Sequence, residues 1–147
     1  MISCDTNILM HALNIQSPQQ ASASNFLREH ADNHDFAICE LVLLELYVLL
    51  RNPAVVTHPL SALDAVETCK GFRSNPAWRV IDYPGSLMET IWQRASRPGA
   101  ARRSVFDARL ALTLRHHGVD QFATGNVRHF ADFGFDRVWD PLNDPPP

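Results

Sequence analysis

The chain reads as an α/β domain built on a central, mostly parallel sheet. Short apolar, strand-like runs alternate with longer helical stretches along its length, the pattern of parallel strands joined by crossover helices. The first of those runs, Met1-Ile2-Ser3-Cys4, stops at Asp5. In open α/β sheets, ligands bind just beyond the carboxyl ends of the strands, so a carboxylate there is well placed for chemistry. At 147 residues and 46% hydrophobic, the chain has the length of one domain and enough apolar mass for a core.

In chain order, residues 14–18 form a polar turn, and Ser17-Pro18 is a good helix start. Ala21, Asn25, Phe26 and Leu27 lead an amphipathic helix toward Ala31, broken by Asp32-Asn33-His34-Asp35. Phe36-Ala37-Ile38-Cys39 is the second strand. Glu40 to Arg51 is a helix apolar almost all round, which predicts burial on several sides. Pro53 ends it, because the residue before a proline avoids helical geometry. Ser61 to Phe72 is the next helix, Trp78 to Asp82 the third strand, and Ser86 to Ala95 a further helix. The Pro98-Gly99 pair marks a loop from Arg97 to Arg103. Ser104 is a capping residue for a helix from Val105 to His116, and Gly118 stands just past its end. Gln121-Phe122-Ala123 is a fourth strand, Thr124-Gly125-Asn126 a turn into a short helix over residues 127–130, and Arg137-Val138-Trp139 a fifth strand. The globular domain spans residues 1–142, and residues 143–147 form a proline-rich, frayed tail.

Composition excludes several classes. No apolar run is long enough to cross a bilayer, and no signal peptide pattern opens the chain. Three cysteines, Cys4, Cys39 and Cys69, cannot all pair within one chain, and none has zinc spacing. The expectation is a soluble protein of the reducing cytoplasm. A net charge of -3 argues against coating nucleic acid by bulk charge, though it leaves room for a local basic strip. Lys70 is the only lysine among 13 basic residues, a skew that genome composition explains as readily as phosphate binding does.

The carboxylates carry the chemistry. Glu45 lies among Leu41, Val42, Val48 and Leu49 on the most apolar helix, where a carboxylate needs a partner; it is either a functional group or a glutamate at the helix rim or paired with a structural arginine. Glu40 competes with it for any mid-chain role. Asp107 sits in the first turn of its helix; Ser104 and Asp107 also resemble a capping box. Asp5 and Asn126 are equally good turn or cap residues. As a set, Asp5, Glu45 and Asp107 fall at strand ends or on helix positions facing the sheet. Two unit charges about 4 Å apart repel by roughly 4 kcal/mol at an effective dielectric near 20. A hard divalent cation such as Mg²⁺ or Mn²⁺ removes that conflict and prefers such oxygen ligands.

In this order and spacing the residues resemble the PIN-domain ribonucleases, in particular the VapC-type toxins of bacterial toxin–antitoxin pairs. Asp5-Thr6-Asn7 resembles the family's opening acidic motif, Glu45 its mid-chain glutamate, Asp107 its third acidic position, and Thr124-Gly125-Asn126 with Phe130 its fourth motif. The resemblance covers Met1 to Leu142. It implies a three-layer α/β/α sandwich and a Mg²⁺- or Mn²⁺-dependent endoribonuclease. Asp5 and Asp107 would hold the ion, with Glu45 as a further ligand or acting through water. Thr6, Asn7, Thr124 and Asn126 are candidates for positioning water or phosphate; Arg97, Arg102 and Arg103, in the loop just before Asp107, either steer the RNA backbone by charge or form a solvated loop. It also implies a small VapB-type antitoxin that plugs the acidic groove, and a homodimer. The fourth position is usually aspartate in the family; Asn126 brings no charge, which puts a second metal in doubt.

Two other classes are testable. A catalytically weak or inactive PIN-like adaptor would keep the acidic residues without cleaving RNA. A receiver-type phosphotransfer protein would place a lysine late in the chain, whereas Lys70 is in the middle. A Rossmann enzyme lacks its GxGxxG. The adjacent His116 and His117 suit a helix C-terminus better than a zinc site.

Overall fold

All five predicted strands form, and they are short: β1 (Ile2–Cys4), β2 (Phe36–Cys39), β3 (Arg79–Ile81), β4 (Gln121–Ala123) and β5 (Arg137–Trp139). The computed structural model describes residues 1–143. Residues 144–147, most of the expected tail, lie outside the described residues. The strands make one sheet in the order β3-β2-β1-β4-β5, and every pairing is parallel. Each residue of β2 is buried, as a strand covered on both faces requires.

Among the described residues seven α-helices join the strands: α1 (Thr6–Leu13), α2 (Gln20–Glu29), α3 (Glu40–Leu50), α4 (Ala62–Arg73), α5 (Met88–Ala95), α6 (Ser104–His116) and α7 (Val127–Phe130). From β1 the chain steps outward through β2 to β3, then returns past β1 to lay down β4 and β5 on the other side. Right-handed crossovers therefore send the two sets of helices to opposite faces. The packing follows: α1 rests on α2 and α3, and α3 on α4, whereas α6 packs with α5 and α7. The result is the expected three-layer α/β/α sandwich. Phe36, Ile38 and Phe122 from the sheet meet Ile8, Leu9 and Leu46 from one layer and Leu114 and Phe130 from the other, all at most 2% exposed.

The structure corrects four local expectations. Residues 6–13, which the sequence pattern left unassigned, are a helix: Asp5 caps it, and Ile8, Leu9 and Met10 are buried beneath it. The next helix starts at Gln20, because Ser17 holds a turn by accepting a hydrogen bond from the Gln19 amide (3.1 Å). Helix α3 is not covered on all sides. Leu44 and Val48, a turn apart, are 66% and 60% exposed, since a single chain supplies nothing to pack there. Ser104 does not cap α6; it is the first helical residue, and its hydroxyl donates to the Ala101 carbonyl (2.6 Å). The other end of α6 matches expectation: Gly118, with φ +83°, turns the chain in the left-handed region just beyond it.

Candidate active site

Strands β1 and β4 are neighbours in the sheet but far apart in the chain, and the strand order reverses between them. Open α/β sheets bind ligands in the crevice at such a switch point. Asp5 is the first residue past β1 and Thr124 the first past β4. The Asp5 amide donates to the Ala123 carbonyl (2.9 Å), so sheet register sets the position of the side chain. The extended backbone of Asp5 (φ -80°, ψ 162°) then turns directly into α1.

The Asp5 carboxylate is 6% exposed and accepts three hydrogen bonds. Its Oδ1 accepts from the Thr6 backbone amide (2.8 Å), and its Oδ2 from the Thr124 hydroxyl (2.7 Å) and the Asn7 side-chain Nδ2 (3.1 Å). A carboxylate offers about four lone-pair sites, two to each oxygen. Both sites on Oδ2 are therefore taken, and one site on Oδ1 is left. Burial, partly offset by the Thr124 and Thr6 hydrogen bonds and reinforced by the charges of Glu45 and Asp107, pushes the Asp5 carboxyl up to about 6.

Those two carboxylates come from different layers. Glu45 lies at the exposed rim of α3, beside the uncovered Leu44, rather than sunk among the leucines. Its Oε2 accepts a hydrogen bond from the Thr6 hydroxyl (2.9 Å), so buried Thr6 touches both Asp5, through its amide, and Glu45. Glu40 faces away and pairs with Arg73 (2.6 Å). Asp107, at the start of α6, is partly exposed and forms no capping box. Its Oδ2 lies 3.2 Å from Nδ1 of His129 on α7. His129 drew no attention in the sequence. The available signal was its place one turn after Asn126, on a helix that follows a strand end.

The remaining predicted residues fall into two groups. Asn7 bridges the crevice, donating to Asp5 and accepting from the Gly125 amide (3.1 Å). The Thr124 hydroxyl also accepts from the Asn126 amide (3.0 Å). These bonds tie the ends of β1 and β4 together. Asn126 occupies the cap position of α7 without a side-chain capping bond, and its side chain is exposed. Arg97, Arg102 and Arg103 are exposed on the segment leading into α6, and among the described residues none of them makes an ion pair or side-chain hydrogen bond.

Among the described residues, no three carboxylate, imidazole or thiol groups close tightly enough to cage an ion unaided. The donor set nevertheless fits one kind of ion. It is all oxygen, it carries three carboxylates, two of which oppose the ionisation of Asp5, and its buried member keeps a single free lone-pair site. Mg²⁺ is commonly bound by one or two carboxylates, with waters and substrate phosphates completing its shell.

No protein-family model matches the chain. Individual proteins do. The chain is 55% identical over 142 residues to ribonuclease VapC24 of Mycobacterium tuberculosis, and the alignment covers 97% of each protein. Its fold superposes on the crystal structure of M. tuberculosis VapC20, described as a sarcin-ricin loop cleaving toxin, with a TM-score of 0.64 at 20% identity over 83% of this chain and 87% of that one. It also superposes on FitAcB from Neisseria gonorrhoeae (TM-score 0.66, 18% identity, 98% and 100% covered) and on DNA-bound VapBC from Salmonella typhimurium (TM-score 0.65, 17% identity, 95% and 97% covered). At these identities the structural matches speak for the fold alone. Full-length identity of 55% to a VapC ribonuclease, on a fold whose switch point gathers acidic residues, means that this chain belongs to the VapC ribonuclease family.

Proposed function

We propose that this ribonuclease is the toxin of a toxin–antitoxin pair and that it hydrolyses RNA phosphodiester bonds at the Asp5 pocket with one divalent cation, Mg²⁺ or Mn²⁺. The observation that carries the reading is the state of Asp5: buried at the switch point, with Glu45 and Asp107 opposing its ionisation. Asp5 and Asp107 are the ligands, with Glu45 a further ligand or a partner through water. A cation held there would supply an activated water and charge neutralisation at the scissile phosphate. The chain's own groups do the positioning. Thr124 and the Thr6 amide hold the Asp5 carboxylate in one orientation, and Thr6 fixes Glu45 against it. Asn7 and Asn126 present amides at the crevice mouth, suited to orienting water or phosphate. Arg102 and Arg103 attract the RNA backbone. Asn126, being uncharged, gives no support for a second ion.

The nuclease domain is assigned to residues 1–142 and the products to 3′-hydroxyl and 5′-phosphate ends. Among the described residues no helix is long and apolar enough to cross a membrane, and the three cysteines are free. Both facts suit the cytoplasm. Structural neighbours solved as toxin–antitoxin complexes support a VapB-type antitoxin as partner. The uncovered Leu44 and Val48 supply an apolar face for a homodimer.

The test is Asp5→Asn. RNA cleavage should disappear while circular dichroism stays native. In parallel, Mg²⁺ or Mn²⁺ should raise the melting temperature of the wild type by mass action and leave that of the variant unchanged. Cleavage by the variant at the wild-type rate would remove Asp5 from the mechanism.

A further inference from the structure

Helix α6 begins with a feature that its own stability does not call for. Arg102 and Arg103 sit at its N-terminal end and Arg109 within its second turn. Cations are disfavoured at a helix N-terminus, where the backbone dipole is already positive. Arg103 occupies the cap position and makes no side-chain capping bond. Among the described residues none of the three forms an ion pair or a side-chain hydrogen bond, and the Nε of Arg109 is buried without a partner. Sixteen acidic residues were available in the chain to neutralise them.

What the arginines do touch is Phe106. The guanidinium of Arg103 lies 5.7 Å from its ring centroid and that of Arg109 lies 5.6 Å away. The ring itself is 53% exposed. It directly precedes Asp107 in the first turn of α6, the same end of the helix that carries Asp107.

We infer that Phe106, flanked by Arg103 and Arg109, is a stacking platform for an unpaired RNA base next to the scissile phosphate. Proteins that hold single-stranded nucleic acid combine aromatic faces for the bases with cations along the backbone. Here both stand within the first two turns of one helix, in a protein whose net charge is negative. The charge selects the occupant: an anionic chain carrying flat, apolar bases satisfies the ring and the arginines together. The platform rests on the reading that Asp107 belongs to the reaction centre. It adds that the enzyme grips a base as well as a phosphate, and so requires an unpaired nucleotide at that position.

The experiment compares wild type, Phe106→Ala, Phe106→Trp and Arg103→Gln. Each is titrated in EDTA with a short single-stranded RNA and with an abasic oligoribonucleotide of equal length, and the RNA is checked to be intact afterwards. Phe106→Ala should weaken binding of the base-bearing strand by about 5- to 150-fold. Its affinity for the abasic strand should not change, and Phe106→Trp should restore the difference. Arg103→Gln should weaken both strands and lower the salt slope by roughly 0.7. Equal loss for both strands in Phe106→Ala, or no loss in either, overturns the platform. So does a change confined to oligomeric state, read by sedimentation, with base discrimination intact; that result would make Phe106 a contact between copies of the chain. None of these measurements uses Asp5→Asn, so an active Asp5→Asn would remove Asp5 from the mechanism, whereas loss of base discrimination is read at Phe106 alone.

Discussion

Thr124 is the residue through which β4 acts on Asp5, and its hydroxyl has two bonds to keep. It donates to Asp5 Oδ2 and accepts from the Asn126 amide. A donor to a carboxylate favours the ionised form, so its loss raises the pKa. Thr124→Val should therefore lift Asp5 above its value of about 6. The acid limb of the pH–rate profile should move to higher pH, while Thr124→Ser restores it; an unmoved limb would disconnect Thr124 from the titrating group. Asp5 itself serves twice, since the carboxylate oxygen that caps α1 belongs to the acidic pocket. Asp5→Asn keeps an acceptor for the Thr6 amide and Asp5→Ala does not. Alanine should cost an extra 0.5–2 kcal/mol of stability, roughly the value of a lost N-cap, measured by urea unfolding of the two variants side by side. Much of this pocket was legible from residue type and order, because Asp5 and Thr124 follow strands that the sequence already delimits. The surroundings of Glu45 were not: an apolar helix does not reveal which of its faces lacks a neighbour. Nor was His129, whose approach to Asp107 depends on how α7 lies against α6.

Elements were legible where local chemistry and packing agree. The end of α6 is one such place. Gly118 adopts φ +83°, a conformation that disfavours any side chain. Gly118→Ala should destabilise the protein by about 1–2 kcal/mol without altering its cleavage specificity, again read by urea unfolding. The start of α6 shows the opposite case. Ser104 and Asp107 have capping-box spacing, yet the serine turns back to Ala101 and the aspartate faces α7. Helix α1 escaped notice because Asp5-Thr6-Asn7 has the composition of a turn, and only burial of Ile8 and Leu9 against the sheet makes the helix worth forming. Helix α3 was recognised but its surroundings were overestimated. Its exposed Leu44 and Val48 lead to a simple expectation: Leu44→Asp with Val48→Asp should leave the monomer folded and abolish any dimer seen by sedimentation. A dimer that survives both charges must use another face.

At the scale of the whole molecule, the raised Asp5 carboxyl couples the pocket to global stability. In the unfolded chain an aspartate titrates near 3.8, and in the fold this one titrates near 6. Between those values the native state binds the extra proton, so the Asp5 contribution is fully favourable below about pH 4 and is lost as pH rises through 6. Ionising it in place costs roughly 3 kcal/mol. A cation that pairs with the ionised form should therefore raise the melting temperature more at pH 7.5 than at pH 5, and a cation effect independent of pH would argue that the ion binds elsewhere. The sheet order carries one last consequence. Thr124 follows Asp5 by 119 residues, yet the two share a hydrogen bond. During synthesis, Asp5 is therefore made well before the strand and hydroxyl that position its carboxylate. A polypeptide released before β4 would carry Asp5 without the neighbouring strand that sets its position, so the pocket exists only once both halves of the sheet are present.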